Sequence, residues 1–243
     1  VRVEPHSCFV LHTRAYRETS LLIEIFSQLH GRVGLVGRGS RRRQSGQAAL
    51  VQPFRRLSIA WSARGELGTL VSVDAEAAPV ALTGAGLMAG FYVNELIMRL
   101  LHRDEAHTKL FDDYAEVMLQ LAQVTSHEQA LRLFEIRLLE AVGYGLILDH
   151  DIVTGTAVRP DELYQYISEQ GPSLAAEHMP KGVCIHGSTL IELAVQSLQS
   201  EQSLREAKLL LRQELGRHLG DRPLASRSLY QAYLQQNRSL QKP

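Results

Sequence analysis

Gly31-Arg-Val-Gly-Leu-Val-Gly-Arg-Gly-Ser-Arg-Arg-Arg-Gln-Ser-Gly46 begins as an alternating strand and ends as a loop of three consecutive arginines between glycines. Alternation over Arg32–Arg38 sends every second side chain to one face, which is the pattern of a half-buried strand. Five of the sixteen residues are arginine (Arg32, Arg38, Arg41, Arg42 and Arg43) and none is acidic, so nothing inside the stretch neutralises the charge. A basic loop beside a strand suits a phosphate backbone. The planar guanidinium fork matches phosphate oxygens in a way that an ammonium group does not.

Strand patterns surround this stretch on both sides. Ser7–His12 is a short apolar run, and Ser20–Ser27 (Ser-Leu-Leu-Ile-Glu-Ile-Phe-Ser) is rich in β-formers. Arg56–Ser62 alternates with Leu57, Ile59 and Trp61 on one face, and Leu67–Val73 follows the turn at Arg64-Gly65. Five short strands with glycines at the bends predict a small closed barrel. The OB-fold is the five-stranded version that binds single strands, and an SH3-like barrel is its structural competitor.

After the junction Ala75–Leu82 the pattern becomes helical. Leu87, Phe91, Leu96, Ile97 and Leu100 line one face of Thr83–Leu101. Thr108 is the expected cap of a helix reaching about Gln123. Ser126 with Gln129 forms a capping box and Gly143 a stop, giving a helix over Ser126–Val142. Ser203 with Glu206 opens another helix, ending near Gly220 before Pro223, and a last one runs from about Ser226 to Gln236. Leu148–Gly187, with Pro160, Gly171, Pro172, Pro180 and Gly182, reads as irregular. The expected fold is therefore α+β: an OB-fold barrel over residues 1–78, then a mostly helical domain over 79–243 with an irregular region at about 148–187.

The chain is neutral overall, with 26 basic and 26 acidic side chains. Residues 1–78 hold 11 Arg, no Lys and 6 acids, a net of 11 − 6 = +5, so residues 79–243 carry −5. Opposite signs in the two parts point to different partners, the basic one to a polyanion. Two cysteines, Cys8 and Cys184, make no disulfide framework and fit a reducing compartment. No apolar run is long enough for a membrane span and no signal-peptide core is present, so a cytoplasmic location is expected. The Gly-x-Ser-x-Gly, His-Glu-x-x-His and Walker patterns are absent, and Gly31–Gly39 lacks the Gly-Lys-Ser/Thr ending of a phosphate loop. The chain is read as a binder and not an enzyme, with no catalytic residue and no cofactor. The candidate residues for holding a nucleic-acid backbone are Arg14, Arg17, Arg32, Arg38, Arg41, Arg42 and Arg43. Tyr16 and Phe54, both in turns, are the candidates for base stacking, while Phe9, Phe26 and Trp61 lie in strand patterns and are assigned to the core.

Several segments, in order along the chain, resemble one family. They are Phe9-Val-Leu-His-Thr-Arg-Ala-Tyr-Arg-Glu-Thr-Ser20, Gly31-Arg-Val with Gly37-Arg-Gly-Ser-Arg41, Leu50-Val-Gln-Pro-Phe54 and Tyr92-Val-Asn-Glu-Leu96. Arg132-Leu-Phe-Glu135 with Leu138-Leu139 and Gly143-Tyr-Gly145, and Ser226-Arg-Ser after Leu219-Gly220, complete the set. Together they resemble RecO, the bacterial recombination-mediator family of the RecF pathway. The resemblance implies an N-terminal OB-fold, a helical C-terminal domain, and binding to single- and double-stranded DNA near the nucleoid. It implies strand annealing, and work with RecR to place RecA on single strands coated by single-strand-binding protein, without nucleotide hydrolysis. It also implies recognition of the acidic, Phe-ended tail of single-strand-binding protein. Arg132, Lys208 and Arg212 are the candidate cations for that tail, and for Arg132 an intrahelical pair with Glu128 or Glu135 is the competing reading. Many members carry four cysteines as a zinc site, where this chain has only Cys184, so the resemblance makes the irregular region at about 148–187 a degenerate zinc-finger-like one. Asp149, His150, Asp151, His178 and His186 have ligand chemistry without zinc-finger spacing, and no metal is expected. The rival reading is a generic OB-fold module for RNA or DNA without mediator activity, which an RNA preference would favour.

Overall fold

The computed structural model describes residues 1–41, 46–63, 65–123, 127–175 and 182–240. Their contacts divide the chain into two compact units, residues 1–124 together with 223–243, and residues 125–222.

The first unit is built on β1 (Arg2–Tyr16), β2 (Ser20–Ser27), β3 (Gly31–Gly37), β4 (Arg56–Ser62) and β5 (Gly68–Ala75). They close as a barrel in the order β1-β2-β3-β5-β4. Every pairing is antiparallel except β3 with β5, where Leu35 lies opposite Gly68 and Val36 opposite Thr69. This is the five-stranded barrel expected of the sequence. The two-residue period explains its core: Ile23, Ile25, Val33, Leu35, Leu57, Ile59 and Trp61 point inward with Cys8 and Val10. The short helix α1 (Gln47–Leu50) brings Val51 into the same core. β1 is much longer than the apolar run Ser7–His12 suggests. Register shifts between Val3 and His6 and between Val10 and His12 bend it, so one strand pairs with β4 along its first half and with β2 beyond.

Two helices, α2 (Gly84–Leu100) and α3 (Thr108–Leu121), cover the outward side of β1 and β2. The Phe9 ring packs 5.0 Å from Phe111 and 4.8 Å from Tyr114, and Phe26 meets the same two rings at 5.5 and 6.1 Å. Thr108 is not the cap of α3. His107 holds that position, and the Thr108 hydroxyl reaches the Gln28 carbonyl instead.

The second unit holds α4 (His127–Ala141), β6 (Leu163–Ile167), β7 (Gly171–Leu174), β8 (Val183–His186), α5 (Gly187–Ala194) and α6 (Glu201–Leu219). α4 ends at Gly143, whose φ of +85° and two backbone bonds, Gly143 to Glu140 and Tyr144 to Leu139, make the expected glycine stop. Ser126 lies outside the described residues. The region read as irregular contains an antiparallel sheet, β7-β6-β8, and then α5. α6 starts three residues before the expected box: Ser200 is its cap, accepting from the Ser203 amide at 2.9 Å. The last helix, α7 (Ala225–Leu240), belongs to the first unit, where Glu95 of α2 accepts from the Ala225 and Ser226 amides and the Ser226 hydroxyl. No helix among the described residues is long and apolar enough to cross a membrane.

Candidate nucleic-acid interface

Strand register decides which arginines share a place. Ala15 pairs with Leu21 and Leu21 with Gly37, so the end of β1, the start of β2 and the end of β3 lie side by side. The β1–β2 turn carrying Arg17 and the loop after β3 carrying Arg38 and Arg41 therefore leave the barrel at one end. Backbone and side chain then tie them together. The Arg41 amide donates to the Thr19 carbonyl at 3.0 Å, and its guanidinium donates to the carbonyls of Glu18 at 3.2 Å and Arg17 at 3.4 Å. Gly37 permits the loop's return, since a Cβ there would collide with the hydroxyl of buried Ser40, which donates to Gln47 of α1.

Arg14, Arg17, Arg38 and Arg41 are all exposed at this end. Arg14 and Arg38 have no ion pair or hydrogen bond among the described residues. Arg17 adopts a φ of +54°, uncommon for a non-glycine residue, and lays its guanidinium 5.3 Å from the centre of the half-buried Tyr16 ring. Arg42 and Arg43 lie outside the described residues. By sequence, the segments 12–19 and 38–46 hold six arginines and one acid, Glu18, a net of 6 − 1 = +5. That density on two linked turns favours a polyanion over any single carboxylate.

Arg32 stands apart. Its expected place on a free basic face is corrected by Glu24, which neutralises it from the neighbouring strand at 3.3 Å. Its guanidinium also donates to the Met98 and Leu101 carbonyls at the end of α2, where a cation complements the helix dipole. Glu24 binds Arg103 as well. Glu24 and Arg103 were missed in the sequence; the available signal was an acid inside the otherwise apolar strand Ser20–Ser27. Phe54 is corrected too: it is buried against Phe91, 5.1 Å away, and offers no stacking surface.

The three candidates for the acidic tail fare differently. Arg132 is 7% exposed and its guanidinium meets the buried Glu135 at 2.5 Å, the intrahelical alternative. Lys208 is exposed but paired with Glu128 at 2.5 Å. Arg212 is exposed with no ion pair or hydrogen bond among the described residues.

Among the described residues no three His, Cys, Asp or Glu side chains are grouped to hold a metal. Asp149 pairs with His150 at 2.7 Å, and His186 with Glu206 at 2.6 Å. Asp151 organises its own loop, accepting from the Val153, Thr154 and Leu174 amides. Burial alone would raise its pKa, but these bonds together hold the carboxyl below its usual range. His178 lies outside the described residues.

Comparison with known proteins adds a family to this geometry. The description Recombination protein O N terminal matches residues 4–78, and Recombination protein O C terminal matches residues 82–228. The chain is 42% identical over 231 residues to the DNA repair protein RecO of Methylococcus capsulatus, covering 95% of this chain and 94% of that protein. It is 43% identical over 229 residues to RecO of Nitrosococcus oceani, covering 94% and 93%. With RecO of an Azoarcus species the identity is 38% over 237 residues, covering 96% and 98%.

Proposed function

The chain belongs to the RecO family of DNA repair proteins, and from that premise we propose that it is a recombination mediator whose barrel binds DNA through the linked turns bearing Arg14, Arg17, Arg38 and Arg41. The observation that carries the reading is the tie from Arg41 to the β1–β2 turn, which assembles two basic segments into one surface. Arg42 and Arg43 extend it by sequence. Two DNA strands repel each other, and a basic surface that displaces their counterions lowers that repulsion. On this account the protein anneals complementary strands without nucleotide hydrolysis and without a catalytic residue. It works in the cytoplasm, at the nucleoid, with RecR, and places RecA on strands coated by single-strand-binding protein. Exposed Arg212, with Lys208 one turn away, offers the cationic surface for that protein's acidic tail. Buried Arg132 pairs with Glu135 of its own helix and does not make the first contact.

Annealing of complementary oligonucleotides coated with cognate single-strand-binding protein, without nucleotide or added metal, tests the reading. Acceleration that is lost when the coat protein lacks its tail supports the mediator role. Acceleration independent of the tail removes the partner contact, and none at all leaves the generic OB-fold module. The DNA surface itself is read from salt dependence. Arg41→Ala should weaken single-strand binding and reduce the slope of log K against log salt by about 0.7, the share of one phosphate. An unchanged slope takes Arg41 off the surface.

A further inference from the structure

An OB-fold ordinarily meets nucleic acid on the face of its second and third strands. Bases are held there by stacking on aromatic side chains. In this chain that face is occupied by the protein's own helices. Phe26 and Phe9 are buried under Phe111 and Tyr114 of α3. Glu24 and Arg32 are locked to Arg103 and to the end of α2.

The aromatic side chains of the barrel can be accounted for one by one. Residues 1–78 contain five: Phe9, Tyr16, Phe26, Phe54 and Trp61. Four are buried. Phe54 lies against Phe91, and Trp61 joins the barrel core with the His6 and His30 rings beside it. The fifth, Tyr16, is half-buried and has one approach taken by Arg17. The outward side of β4 and β5 offers Ser58, Ser62, Thr69 and Ser72, without an aromatic ring. What the barrel presents at its basic end is guanidinium groups on two turns. Where such groups meet phosphate oxygens they fix a strand without reading a base.

Resting on the DNA-binding reading above, we infer that the barrel holds a polynucleotide by its phosphates alone and leaves the bases unstacked against the protein and free to pair. The consequence for annealing is direct. A base stacked on an aromatic side chain must be released before it meets its complement, and that release adds to the barrier. A strand gripped only by its backbone already presents its pairing edges. The substrate class this defines is the phosphodiester backbone itself, whatever bases it bears.

The test compares a labelled single-stranded oligonucleotide with a deoxyribose-phosphate strand of the same length and no bases, at matched salt. Affinities within about twofold are expected, because counterion release depends on the phosphates. Binding of the abasic strand that is weaker by about fivefold or more, the loss from even one stacked base, overturns the inference and leaves DNA binding intact. Failure of both strands to bind overturns the DNA-binding reading and this inference with it. The comparison is blind to location, so it also registers stacking on Tyr230, an exposed ring on α7. Tyr16→Leu should leave both affinities unchanged, and a loss on the base-bearing strand alone would count against the inference.

Discussion

Asn94 lies in the middle of α2 with 1% of its surface exposed and both ends of its amide engaged. Its nitrogen donates to the Leu11 carbonyl at 2.7 Å, at the bulge of β1, and its oxygen accepts from the Tyr114 hydroxyl at 2.7 Å. One side chain thus satisfies two groups that barrel and helix would otherwise bury unpaired. Burial drives the Tyr114 phenol well above its ordinary pKa, so it remains a donor. Asn94→Leu should cost about 2–4 kcal/mol, the penalty for orphaning both groups, read from the urea midpoint at constant m. Tyr114→Phe should cost about 1 kcal/mol. His30 gives the same unit a pH response. It packs against Trp61 and His6, and burial first, then the His6 charge, lower its pKa against a smaller opposing pull from Asp104. The unfolded chain then binds the proton more readily, so stability falls as pH drops below about 6.5. His30→Gln should flatten that fall in urea melts at stepped pH; an unaltered pH profile would mean that another group carries it.

Among the elements, β3 shows how an arginine's sequence position leaves its task open. Arg32 and Arg38 read alike in the sequence, six residues apart beside the same glycines. The structure gives Arg32 to Glu24 and the carbonyls of α2, and Arg38 to solvent. Arg32→Ala should therefore lower stability by about 2 kcal/mol, the loss of hydrogen bonds from a charged group, while the salt slope of DNA binding stays unchanged. A flattened slope would return Arg32 to the binding surface. The barrel strands were legible because inward Ile23, Ile25, Leu57 and Ile59 follow a two-residue period that few other structures satisfy. The arginines gathered at one end were legible as a loop but not as a pair of linked turns, because that link is made by carbonyls of Arg17, Glu18 and Thr19, which leave no mark in composition. β6, β7 and β8 were not legible. They are four or five residues long, and Pro172 sits inside β7, the kind of residue that argues against a strand except at an edge. The start of α6 was misplaced because Ser200 and Ser203 both have capping chemistry, and only geometry separates them.

For the molecule as a whole, charge survives a change of boundary. Residues 1–124 with 223–243 carry 17 − 12 = +5, and residues 125–222 carry 9 − 14 = −5, the same split that the sequence shows at residue 78. It survives because the acidic balance of α2 and α3 is offset by the last segment, 223–243, which has three basic residues and no acid. Glu95 holds that segment, and Glu95→Ala should loosen α7 from α2 and speed tryptic cleavage at Arg227, seen as a shortened product in a time course. Unchanged cleavage would mean that α7 is retained by other contacts. The sequence alone does not reveal this return, since nothing in a run of helices says which of them belong together. Its consequence reaches back to how the chain is made. The amides that Glu95 receives lie 130 and 131 residues further along. At roughly 5–20 residues per second, a ribosome delivers them about ten seconds after α2 has emerged. Throughout that interval α2 waits with one flank uncovered while the second unit is built, so the unit begun earlier is completed later.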